Sequence, residues 1–294
     1  MNSQFHSLAL ISYGILYLTV ISLWFKKNSN FKTPGILLVL AVILGLLSQI
    51  LKPIALVPIA LLPLVIYSTQ IKTASKIIKL FSYVLVILLS LGLLGHNFPG
   101  FYNLKILNQV YISKDAIPFS MYLNFDKALV GIFILGMSHQ LIFNKEAWEN
   151  CLKQTIPPLI LLILLVMLLA IALGFVHFDP KMSHYLLIWS ITNLLFVCVA
   201  EEAFFRGFLQ KNLSLLLRKM AFGNYLSILG VSLVFGLLHY AGGLNYILFA
   251  TVSGVGYGWI YDRTKSIESA IIAHFGLNLI HFIFFTYPML KSAL

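Results

Sequence analysis

Ten apolar runs follow one another along this chain, most of them long enough to cross a bilayer at about 17–25 residues per helix. They lie at 7–25, 35–51, 54–69, 77–95, 128–144, 157–176, 184–210, 224–240, 244–262 and 267–288. The third is short and holds Pro58 and Pro63. Of the 294 residues 60% are hydrophobic and only 10% charged, against about 25% charged in a soluble domain. The expected fold class is all-α: a polytopic transmembrane helix bundle of about ten spans. The opening stretch, "MNSQFHSLALISYGILYLTVISLWF", lacks a basic start and a small-residue cleavage site, so it reads as a first span rather than a signal peptide.

The net charge of +11 raises the question of nucleic acid. The lysines sit in short loops between apolar runs, and no basic cluster is interleaved with aromatics on a polar surface. Lipid headgroups and membrane topology account for them, and nucleic-acid binding is excluded. Counted by loop, 13 lysines and arginines fall on one side, including Lys26, Lys27 and Lys32, and 6 on the other, including Lys127. An even number of spans then places both termini outside and the glutamate helix, 184–210, with its end at the cytoplasmic face. Met220 is expected on the cytoplasmic side and Gly242 on the outer. Two cysteines, Cys151 and Cys198, give neither a disulfide framework nor a metal spacing. The expected organisation is an N-terminal transmembrane region, 1–156, with a long polar loop at 96–126, followed by a helix bundle at 157–288.

Within the last third, "LLFVCVAEEAFFRGFL" carries Glu201, Glu202 and Arg206 straight after an apolar run. A carboxylate in hydrocarbon costs about 3 kcal/mol or more, so such residues need a reason. Arg206 is four residues after Glu202, the favourable order for a helix ion pair. Adjacent helical positions differ by about 100°, so Glu201 is left as the carboxylate that faces a cavity. The plain alternative is that both glutamates reach toward headgroups beside Arg206.

Two further stretches bear on that choice. "VFGLLHY" sets Phe235 and His239 one turn apart, and "AHFGLNLIH" sets His274, Asn278 and His281 along one stripe. A single histidine in a span is usually a hydrogen-bonded core residue. Here three polar sites on three successive helices supply what amide hydrolysis requires: a base, a second proton carrier and donors for an oxyanion. Glu201 and His239 are equidistant from the turn around Met220, each about 25 Å away along its helix. No H-E-x-x-H motif is present, but a dispersed zinc site of Glu201, His239 and His274 stays open as an alternative to a cofactor-free site. His139 reads as a polar residue in the bundle interior. His6, His96, His177 and His184 carry no signal.

"EEAFFR", "FGLLH" and "HFGLN" resemble, in order, the signature of the CPBP family of membrane proteases, E-E-x-x-x-R, F-x-x-x-H and H-x-x-x-N. That family includes the type II CAAX prenyl endopeptidases and bacterial Abi proteins. The resemblance covers about 157–288 and implies an intramembrane endopeptidase acting near the cytoplasmic leaflet. It implies that Glu201 and His239 activate water and that His274 and Asn278 hold the oxyanion, with Glu202, Arg206 and Phe235 supporting them. The family is described both as metalloproteases and as metal-free glutamate proteases. Family membership does not guarantee activity, so a non-catalytic membrane scaffold or bacteriocin-immunity protein of the same fold is the alternative function. The partners it implies are the lipid bilayer and a membrane-bound peptide or protein, prenylated or bearing a leader peptide. The localisation it implies is the cell membrane, in bacteria the inner membrane.

Overall fold

The computed structural model describes residues 3–25 and 31–293. Lys26 and Lys27, counted above as cytoplasmic charges, lie outside the described residues. All ten apolar runs form helices: α1 (Ser3–Ser22), α2 (Lys32–Leu47), α3 (Leu56–Gln70), α4 (Lys76–Leu94), α5 (Phe125–Ser138), α6 (Lys145–Ala172), α7 (Leu186–Leu217), α8 (Gly223–Leu237), α9 (Gly243–Thr264) and α10 (Ile267–Phe284). The chain is an all-α, multi-pass membrane protein.

Two expectations need correcting. Among the described residues, α1, α3, α4, α6, α7 and α10 are long and apolar enough to cross a membrane by themselves, six rather than ten. α5 has 14 residues and reaches about 21 Å, short of an apolar layer about 30 Å thick. It is an internal helix, with every residue from 125 to 135 buried except half-buried Lys127. The polar loop at 96–126 also holds structure: β1 (Leu104–Val110) pairs with β2 (Phe119–Leu123). In β2, Met121 and Leu123 are buried while Tyr122 is exposed, a two-residue period too brief to stand out among polar neighbours.

The chain divides into two compact units, 1–105 with 122–143 and 195–207, and 106–121 with 144–194 and 208–294. In the first, α5 is packed by α1, α3, α4 and the Val199–Glu202 segment of α7. Its start is fixed by side chains: Asn103 Oδ1 accepts the Phe125 N–H at 2.9 Å, and the Asp126 carboxylate takes His96 at 2.8 Å and Asn103 at 3.0 Å. Thus His96, silent in the sequence, anchors a helix.

In the second unit, α6 packs on α9 and α10, with Leu162 set against Gly256 and Leu159 against Gly276. Lipid is as apolar as these side chains, so close packing rather than hydrophobic burial holds such helices together. The hairpin residues Leu107 and Met121 join Trp189 of α7 and Phe282 of α10 in one apolar cluster. The axes of α8 and α9 meet at 58°, which by itself fits either one broken span or a hairpin. The contacts decide between them. A Cβ on Gly236 would lie 2.9 Å from the Ile247 carbonyl oxygen, while one on Gly258 would lie 3.2 Å from Ile228. As the residue number falls along α8 its partner's rises along α9, so the two are antiparallel arms.

The turn of this hairpin, His239 to Gly242, is flanked by exposed Leu237, Leu238, Tyr240 and Leu244. α8 has 15 residues, about 23 Å, too short to carry Gly242 across the apolar layer. We therefore expect cysteines placed at Met220 and Arg263 to react with an impermeant thiol reagent from one and the same side. A cysteine at Gly242 should react from neither side. Labelling of Met220 and Arg263 from opposite sides would show a broken span instead.

Candidate active site

α7 runs on to Leu217, seven residues beyond the run read from the sequence, and its regularity is broken twice. Asn193–Cys198 and Ala203–Gln210 are π-helical, and the four α-helical residues between them, Val199–Glu202, end in the two glutamates. Wide π turns inside α-helices occur frequently at functional sites. Every residue from 198 to 208 is buried, so this stretch has no face left for solvent or lipid. Cys198 is a core residue within it.

The ion pair expected from the i, i+4 spacing is present. Arg206 Nη1 donates to Glu202 Oε1 at 2.9 Å, and both side chains are 0% exposed. Two unlike charges buried together offset much of their desolvation, whereas one left alone would not. Glu201 departs from its expectation. It is not a carboxylate left facing a cavity on its own: Lys127 Nζ donates to Glu201 Oε1 at 2.9 Å, with side-chain exposures of 15% and 10%. Sequence reading had placed Lys127 among the outer loop charges. The signal available was a lysine in the first turn of an otherwise apolar helix, "FDKALVGIFILG", where a charge needs a partner.

The second unit holds Phe235, His239, His274 and Asn278. Phe235 sits between the two histidines, its ring 4.7 Å from that of His239 and 5.8 Å, edge-on, from that of His274. Tyr257 of α9 stacks on the other histidine, His274, with centroids 4.8 Å apart and planes at 17°. Gly236, next to Phe235, permits the close approach of α8 and α9 that brings these rings together.

His239 Nδ1 lies 2.7 Å from the Phe235 carbonyl oxygen. A carbonyl only accepts, so Nδ1 carries the hydrogen and Nε2 is the basic nitrogen of the neutral ring. Asn278 Nδ2 donates to Asn193 Oδ1 at 3.2 Å. An amide nitrogen has two hydrogens, and this bond uses one while fixing the plane of the group. Asn193 and Tyr257 are therefore neighbours that the sequence reading missed. His281 turns away from the stripe it was expected to share: its Nε2 bonds the Thr286 carbonyl at 3.1 Å. His139 ends α5, bonding the Ile134 carbonyl through Nδ1 at 3.2 Å.

The arrangement also bears on metal binding. A cation on Glu201 Oε1 would have to displace the Lys127 ammonium. Among the described residues, no three His, Cys, Asp or Glu side chains are grouped to hold a metal ion.

A comparison with known families gives a match over part of the chain. Residues 183–280 match the family described as type II CAAX prenyl endopeptidase Rce1-like, a third of the chain that contains Glu201, Glu202, Arg206, Phe235, His239, His274 and Asn278. Over that third the chain is similar to the CAAX protease family. No curated protein and no solved structure gives a significant match.

The buried Glu202–Arg206 pair of α7 yields a stability prediction. Arg206→Leu should destabilise the protein by about 3–5 kcal/mol, because Glu202 then stays buried without its cation. Replacing both, as Glu202→Met with Arg206→Leu, should recover most of that loss. Denaturant unfolding of the purified, detergent-solubilised variants measures both. A double variant as unstable as Arg206→Leu would mean that the loss does not come from leaving Glu202 buried without its cation.

Proposed function

We propose that this protein is an intramembrane endopeptidase that hydrolyses a peptide bond of a membrane-associated peptide or protein near the cytoplasmic leaflet. Glu201 takes the proton of the attacking water, with His239 Nε2 as the second proton carrier. His274 and Asn278 donate to the oxyanion of the tetrahedral intermediate. The observation that carries this reading is the family match across 183–280, which holds all three motif stretches together. The side chains support it: Nδ1 of His239 is engaged so that Nε2 is basic, and Asn278 is held in place by Asn193.

The reaction as proposed uses no metal. Support comes from Asn278, whose amide donates well to an oxyanion but ligates zinc poorly. The substrate class is a peptide anchored in the bilayer, by a prenyl group or as a leader peptide. The site of action is the cell membrane, in bacteria the inner membrane, with both termini outside and the Leu217 end of α7 in the cytoplasm.

Glu201→Gln should abolish cleavage of a tagged membrane peptide while leaving the protein inserted and folded. Asn278→Ala should lower turnover by about 10²–10³ with the Michaelis constant nearly unchanged, as for loss of one oxyanion donor. Chelators should leave the wild type active. Stoichiometric zinc in active protein, lost in His274→Ala and restored with activity by added zinc, would replace this mechanism with a metal-dependent one. A scaffold of the same fold would bind the peptide and leave it intact.

A further inference from the structure

Lys127 lies far from the motif stretches in sequence, outside the residues that match the family, and yet it touches the carboxylate to which the proton transfer is assigned. We propose that Lys127 is a positioning residue for Glu201, holding Oε1 and with it the orientation of the carboxylate that accepts the proton. The proposal rests on the reading of Glu201 as the general base. Three features of the first unit carry it.

The contact is direct and enclosed, at 2.9 Å with both side chains largely buried. An ammonium is a compact charge whose hydrogens can be aimed at one carboxylate oxygen, and it restricts rotation of the group about its last bond. The backbone that delivers Lys127 is fixed on its N-terminal side. The Phe125 N–H is held by Asn103, and the Asp126 carboxylate by His96 and Asn103. On the C-terminal side, Gly131 follows one turn later on the same face of α5. A Cβ there would meet Val199 Cγ1 at 3.1 Å and the Ala200 backbone at 3.2 and 3.3 Å. The bare glycine lets α5 lie against the segment that ends in Glu201, and so sets the reach from Lys127 to the carboxylate.

Neutralising a buried charge would need a cation but not this geometry. Positioning needs both, because a displacement of about 1 Å at a reacting group can lower a rate about 100-fold. The two roles therefore separate in turnover per folded molecule.

The test uses full-length protein in liposomes with a fluorogenic membrane peptide that the wild type cleaves, normalising each rate to folded enzyme. Lys127→Met should lower kcat by about 10–100-fold with KM within about twofold, since the interaction acts on the base and not on substrate binding. Lys127→Arg, which keeps the charge but presents it from a planar head of different reach, should recover only part of the loss, whereas full recovery would mean that the charge alone suffices and would overturn the proposal. Gly131→Ala keeps the ammonium but moves it by a few tenths of an ångström, and should lower kcat by about three- to tenfold. It decides the matter where Lys127→Met does not fold. Wild-type kcat in folded Lys127→Met or in Gly131→Ala overturns the proposal and leaves the protease reading standing. A raised KM at unchanged kcat in Lys127→Met also overturns it, by making Lys127 a substrate contact. Cleavage by Glu201→Gln at the wild-type rate would remove the base assignment itself, and this proposal with it.

Discussion

A charge within the apolar layer must bring its own counter-charge, and this condition orders the centre of the first unit. Glu202 is met by Arg206 from the same helix, and Glu201 by Lys127 from α5. The two solutions differ in kind. The Glu202–Arg206 pair is local, sealed from solvent and one turn long, so it forms whenever α7 forms. The Glu201–Lys127 pair joins residues 74 apart in sequence and exists only when α5 is packed against α7. The first supports the helix, and the second ties the assembly of the first unit to the state of the proposed base.

Close approach of backbones makes the second arrangement possible. In lipid the driving force for helix association is packing, and small residues at contact points let the backbones come near. Gly131 does this for α5 against Val199 and Ala200, and Gly236 does it for α8 against α9. Each glycine neighbours a residue of functional interest in its own unit: Lys127 one turn before Gly131, and Phe235 immediately before Gly236. The aromatic order in the second unit, with Phe235 between His239 and His274 and Tyr257 behind His274, follows from the second contact.

Most of the helices were legible in the sequence because a helix that must cross hydrocarbon announces itself by a long apolar run. What those runs do not show is which helices face lipid and which lie inside. α5 reads as a span by composition, but it is short and buried, and only tertiary packing reveals that. The i, i+4 spacing of Glu202 and Arg206 was enough to foresee their pair. The partner of Glu201 was not foreseeable from any local rule, since Lys127 comes from a distant helix and loop counting took it for a topology charge. The π turns flanking Val199–Glu202 were equally hidden, because no residue type marks them as glycine or proline marks a turn.

In the proposed mechanism the charge on Glu201 serves hydrolysis of a membrane peptide. Mass spectrometry of membrane-protein termini tests it most directly, comparing cells that carry the wild type with cells that carry Glu201→Gln at equal abundance in the membrane. The account predicts new peptide termini present with the wild type and absent with the variant, arising from proteins held at the bilayer. Identical sets of termini in the two, with both proteins folded and inserted, would contradict it.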